Sequence, residues 1–374
     1  IRIPYTLADS AEAVAASIRT AIEQARLQYG LRTGADLSET GSVVSLSHTG
    51  PSVQIEGFAT YSARLDARLH IDPGMIVKMD GSRIEVQMGA QLIAEGRPGS
   101  DEGAPGYRVV FTSLLDDRYG AGGTFDTSSI TSGHVAEPGD WGGLYFWPTS
   151  SGSINHAIIA YGGGTTAIEG GFANFNAVEI RQAEVRVANS RFEYNGATTV
   201  TADRNGRGPS AAATIQVRGA QPVIARNDFI HNEGAVLSVD LNSLVSETVA
   251  DWGRTTGFIR DFEEYAGNRG PLVRGNRMTD NGINGMEVRG GVLTTDSVWD
   301  DTDIVHVLYN EISIPNFHHE GVLRLQSSDT ESLVVKLLGT NAGFTAGGEP
   351  LEIDDRIGGT LHVVGKPGQP VVFT

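Results

Sequence analysis

Val178-Glu179-Ile180-Arg181 recurs with variation as Ile215-Gln216-Val217-Arg218, Met286-Glu287-Val288-Arg289 and Leu323-Arg324-Leu325-Gln326. Apolar, polar, apolar, polar is the period of a strand that buries one face. A second phrase accompanies the first. Phe192-Glu193-Tyr194-Asn195 returns 37 residues later as Phe229-Ile230-His231-Asn232, and Met278-Thr279-Asp280-Asn281 is a third version. Strands and turns that return every few tens of residues mark a solenoid. No helical pattern separates the copies, so the chain reads as an all-β solenoid of the β-helix type.

Each recurring position has a structural and a functional reading. In the second phrase the first residue points inward and the Asn falls at the next corner. Asn tolerates a left-handed backbone, and its amide can bond to the same atom one layer on. Asn195, Asn232 and Asn281 are therefore expected to stack as a ladder. A row that binds sugar hydroxyls is the functional alternative. Arg181, Arg218 and Arg289 each follow an inward position. If they stack on one outer face, like charges lie about 5 Å apart and repel. Glu179, Glu184 and Glu287 are the acids at hand to offset them. The row is a ladder of surface charges, or a grip on an acidic polysaccharide.

Composition narrows the function classes. An apolar content of 40% suffices for a core, and 48 glycines suit many tight turns. No cysteine is present, which excludes disulfides, thiolate nucleophiles and Cys-bound metals. The formal charge is −17, and Lys78, Lys336 and Lys366 are the only lysines. Such a balance repels nucleic acid and anionic membranes and favours cations, calcium in particular. No apolar run is long enough to span a bilayer, so membrane insertion is not expected. Ile1 in place of an initiator Met reads as a processed or excised piece.

Residues 1–50 read as a strand, a helix and a strand. The helix spans 8–29, capped by Asp9 or Ser10, with an apolar stripe at Val14, Ile18, Ala21, Ile22 and Ala25. A solenoid must cover its open ends, and this amphipathic helix is the expected cap. A small α/β module that precedes the solenoid is the alternative. Residues 51–138 hold the first layers and a Gly/Asp-rich excursion. The main layers follow over 139–330, with insertions at 198–210 and 242–270. Trp252, Phe258, Phe262 and Tyr265 should pack the second insertion onto the layers. Short strands fill 331–374.

Two clusters invite chemical readings. Asp116, Asp117 and Asp126 surround a Gly-rich loop, and oxygen ligands on such a loop suit calcium, although the EF-hand spacing is missing. An ordinary solvated turn is the alternative. Asp300, Asp301, Asp303 and His306 form the densest acidic patch, and His318-His319-Glu320 holds the only His pair. A glycoside hydrolase needs two carboxyls flanking the scissile bond, and neither cluster carries a catalytic signature. No catalytic residue is assigned.

The last octet, Pro367-Gly368-Gln369-Pro370-Val371-Val372-Phe373-Thr374, matches residues 105–112 at six of eight positions. This suggests a tandem unit of about 260 residues, with 331–374 beginning the next module. Two unrelated layers of similar sequence are the alternative. Several longer words occur in order: GDWGGLYF (139–146), GINGMEVRGG (282–291), VWDDTDIVHVLYNEI (298–312), EGVLRLQSS (320–328), ESLVVKL (331–337) and EIDDRIGGTLHVVGKPGQPVVFT (352–374). Together they resemble modules of very large secreted proteins of planctomycete-type environmental bacteria. The resemblance implies right-handed parallel β-helices, export, great length and a surface or matrix role. The expected function is a structural or adhesive extracellular module that forms filaments with adjacent copies or tandem modules. A polysaccharide lyase or hydrolase, or a non-catalytic module that binds extracellular polysaccharide, is the alternative.

Overall fold

The computed structural model describes residues 10–29, 33–38, 44–48, 67–98, 107–119, 135–202, 204–248, 251–256, 269–316, 321–348 and 358–374. The chain divides into two compact units, Ile1–Leu65 and Asp66–Thr374. In the first, the expected helix runs over Ala11–Tyr29. Ser10 caps it by accepting from the Ala13 amide through Oγ (3.3 Å), while its carbonyl accepts from Val14. Thr33–Leu37 and Val44–His48 pair as an antiparallel hairpin. The first strand expected within residues 1–50 lies outside the described residues.

The second unit is built mostly of parallel sheets. A nine-stranded sheet contains Ile84–Val86, Leu144–Phe146, Val178–Arg181, Ala213–Arg218, Ala235–Asp240, Ile283–Arg289, His306–Leu308, Leu333–Leu337 and Val371–Phe373. A six-stranded sheet runs from Arg68–Ile71 to Leu272–Arg274, and another from Ile76–Met79 to Arg277–Thr279. The chain visits these three stations in rotation, and each strand pairs in parallel with its counterpart one circuit later. Beyond Arg289 two three-stranded parallel sheets replace the six-stranded pair. They end on Gly343–Ala346 and Thr360–Val364.

Inward positions stack into columns. Val178, Ile215, Leu237 and Met286 are in register and buried, as are Ile180, Val217, Val239 and Val288. Phe192 and Phe229 stack face to face at 4.8 Å, the strand spacing itself. Two sequence expectations shift here. The third layer of the first phrase is Leu237-Ser238-Val239-Asp240, and the fourth copy, Leu323–Gln326, belongs to a different sheet. The octet and its match also serve two stations: Val109–Ser113 lies in a six-stranded sheet and Val371–Phe373 in the nine-stranded one.

Corners carry the polar work. Asn195 Nδ2 and its backbone N–H both donate to Asn232 Oδ1 (2.8 and 3.1 Å), and Asn232 does the same to Asn281 (2.7 and 3.0 Å). Each Nδ2 also donates to a carbonyl of the circuit before: Ile159, Phe192 and Phe229. The expected ladder is present. Its left-handed residues are those just before the Asn, namely Tyr194, His231 and Asp280, with φ of 54, 56 and 52°. A second ladder, Ser190, Asn227 and Asn276, stands at another corner behind Asn189, Arg226 and Gly275. A left-handed non-Gly residue costs roughly 1–2 kcal/mol. The turn it makes aims the following amide along the stack, where a net hydrogen bond of about 1 kcal/mol recurs in every layer.

His306 sits in the inward column between Met286 and Val335, stacked on Trp299 at 5.4 Å. Burial, partly offset by the Ile304 carbonyl, pushes its pKa from 6.5 to about 4. The folded state holds neutral imidazole while the unfolded chain protonates near 6.5. This contribution to stability is therefore full above 6.5 and lost as pH falls through 4. Asp300 works in the opposite sense. Burial raises its pKa from 3.8 to about 6, so its contribution is full below 3.8 and lost as pH rises through 6. His306→Phe keeps Asp300 and removes the imidazole. Denaturation curves between pH 7 and 4 should show wild type losing stability relative to His306→Phe as pH falls. Parallel curves would place the imidazole in water.

Candidate functional site

The outward column of the nine-stranded sheet runs through Glu85, Tyr145, Glu179, Gln216, Ser238 and Glu287 in register. Four of these six residues are clasped by the insertion at 198–210. Arg204 makes a two-pronged pair with Glu179, both contacts at 2.7 Å, and the two side chains are 0 and 1% exposed. Its guanidinium also lies 5.0 Å over the Phe175 ring and donates to the Gly208 and Asn174 carbonyls. Arg207 bridges Glu85 (2.8 Å) and Glu169 (2.8 Å). Tyr145 donates to the Arg207 carbonyl, and Gln216 to that of Pro209. Burial works to raise the Glu85 pKa, but hydrogen bonds from Arg207, Trp147 and Arg83 more than reverse it.

The arginine column borders this clasp. Arg181 and Arg218 are direct neighbours in register, and Asp240 pairs with Arg289. Val217 pairs with Val239, so Asp240 follows Arg218 in the column. The row is thus Arg, Arg, Asp, Arg. Arg289 donates to the Val217 carbonyl (3.1 Å) and lies 4.0 Å from Asp240. Arg181 donates to the Tyr145 hydroxyl (2.8 Å) and the Gly206 carbonyl (3.1 Å). The offsetting acid at the column is Asp240, a residue the recurring phrase does not flag.

Beyond Arg181 and Arg218 the chain turns a corner through Gln182 and Gly219, with φ of 45 and 60°. A groove of about 440 Å³ opens there, lined by Gln182, Glu184, Gly219, Gln221 and Trp252. Trp252 also packs on Val223, Ala225 and Leu272, as expected for that insertion. Phe258, Phe262 and Tyr265 lie outside the described residues. The same insertion brings Asp251 onto Arg186 (2.7 and 3.1 Å), both fully buried.

The expected calcium ligands have other surroundings. Asp116 is buried and accepts from Thr112 (2.5 Å) and from Arg118 Nε and Nη2 (2.9 and 3.0 Å). Arg118 reaches on to Glu193 (2.8 Å) and lies over the rings of Tyr119, Tyr161 and Tyr194. Asp117 is exposed, and Asp126 lies outside the described residues. Among the described residues no three His, Asp or Glu group as metal ligands. The acidic patch near 300 is dispersed as well. Asp303 pairs with Arg274 (3.1 Å), Asp300 accepts from the Arg269 amide, and His306 is in the core. His318, His319 and Glu320 lie outside the described residues.

The Arg204–Glu179 pair is the fixed point of the clasp. Arg204→Ala strands a buried carboxylate and should cost about 3–5 kcal/mol in chemical denaturation. Arg204→Met with Glu179→Met should recover much of that. Loss of less than about 1 kcal/mol from Arg204→Ala would show that the pair is solvated. The chain matches no family model, no curated protein and no solved structure.

Proposed function

We propose that the chain is a structural module of a long secreted protein at a cell surface or in a matrix. In this reading the three stations close into a right-handed parallel β-helix, the hand that parallel crossovers adopt almost without exception. The observation that carries it is the last layer of strands. Gly343–Ala346, Thr360–Val364 and Val371–Phe373 each pair on one side only among the described residues. Val363 and Phe373 are 48 and 44% exposed, although their register partners Leu325 and Val335 are fully buried core residues. Unpaired parallel edges around an apolar cross-section form a template for another layer. In this reading a further layer of strands, from the same or another chain, covers those positions. The outer polar groups fit the same role, because most of the charges on the clasped face are spent on one another.

Among the described residues no helix is long and apolar enough to cross a membrane. An inward-pointing charge on an edge strand blocks strand addition. Wild type should therefore associate end to end as concentration rises in sedimentation velocity. Val363→Lys combined with Phe373→Lys should remain monomeric with an unchanged far-ultraviolet spectrum. A wild-type chain that stays monomeric up to millimolar concentration would overturn self-assembly of this layer.

A further inference from the structure

We propose that Arg181 and Arg218 bind an oxyanion carried on a polysaccharide, the carboxylate or sulfate ester of a sugar unit, with the adjoining groove receiving the ring. The two side chains leave adjacent strands in register. Their guanidiniums converge over Gly208. A side-chain carbon added there would lie 2.8 Å from both Arg181 Nη2 and Arg218 Nη1, and the φ of +67° also disfavours any other residue. Only glycine at 208 thus leaves room for the two guanidiniums to come together against the clasp.

Among the described residues neither arginine has an ion-pair partner, and Arg218 is exposed and makes no side-chain hydrogen bond. Nearby acids are committed. Glu179 holds Arg204, and Glu85 and Glu169 hold Arg207. Asp240 accepts from the Gly219 amide (2.8 Å) and Ser243 (2.5 Å) and faces Arg289. In a chain of net charge −17, two uncompensated arginines side by side are an exception. Burial and the charge of Arg218 hold the Arg181 guanidinium below its ordinary pKa, although the Tyr145 hydroxyl favours the charged form. A bound anion would relieve that repulsion. Two planar forks also match the oxygens of a carboxylate or sulfate.

The groove supplies the rest of a sugar site. It begins at the residues that follow each arginine, and it offers the amides of Gln182 and Gln221, the Glu184 carboxylate and the Trp252 indole. Amides and carboxylates bond to hydroxyls, and an indole packs on the apolar face of a sugar ring. The site is independent of end-to-end assembly and survives the failure of that reading.

The test is titration of the full chain at low ionic strength with polygalacturonate, dextran sulfate and neutral dextran. Wild type should bind at least one anionic polymer and not dextran. Arg218→Gln should weaken that binding at least about tenfold, while Arg324→Gln, which removes an exposed cation from another sheet, should change it by less than about twofold. Loss confined to polygalacturonate assigns a carboxylate, and loss confined to dextran sulfate assigns a sulfate ester. Absence of binding to both anionic polymers, or equal loss in the two variants, would overturn the site.

Discussion

A chain that stacks its strands in parallel must turn a corner at every station, and each corner exposes backbone amides that no strand can satisfy. Here side-chain oxygens one layer further on meet that need. Asn232 Oδ1 receives both the backbone and the side-chain N–H of Asn195, and its own Nδ2 reaches back to the Phe192 carbonyl. Its own N–H groups donate on to Asn281 Oδ1, so this one residue ties three successive circuits together. The cost is a left-handed backbone at Tyr194, His231 and Asp280, and at Asn189 and Arg226 of the second ladder. Those residues do not bear the strain for a ligand. They bear it because the turn delivers the next amide to the ladder.

The same economy governs the outer face of the nine-stranded sheet. A layer spacing near 5 Å forces like residues close together, so every outward charge needs an answer. Glu179 and Glu85 find theirs in Arg204 and Arg207 of the clasp, and Arg289 finds Asp240. Among the described residues Arg181, Arg218 and Glu287 have none. A structural role accounts for the paired charges, and the proposed oxyanion site concerns the two neighbouring arginines that have no ion-pair partner among the described residues.

The layers were legible because inward positions repeat. Val178 with Ile215, and Phe192 with Phe229, carry the same spacing of 37, which also marks Asn195 and Asn232. The layer at Leu237 escaped notice because it follows Ile215 by only 22 residues and carries Ser and Asp where its relatives carry Glu or Gln and Arg. The second ladder was hidden by Ser190, which does the work of Asn in its first layer. Leu323–Gln326 shows the opposite error, a matching pattern at the wrong station. The candidate site was legible only in part. Arg181, Arg218 and Arg289 were visible as a row, but their fates depend on Arg204, Gly208 and Asp240. Two of these lie in an insertion, where pairing leaves no periodic trace. For Asp116 the sequence shows its acidic neighbours and not the folded position of Arg118.

The corner ladder is tested most directly by residue-resolved amide hydrogen exchange. The N–H groups of Gly162, Asn195 and Asn232 donate to Asn side-chain oxygens and to no strand. If these ladders hold the circuits together, those three amides exchange as slowly as the strand amides beside them, and Ser190 and Asn227 behave alike. Exchange at the rate of open turns, with the flanking strands still protected, would mean that the stack stands without its corners and would contradict the account.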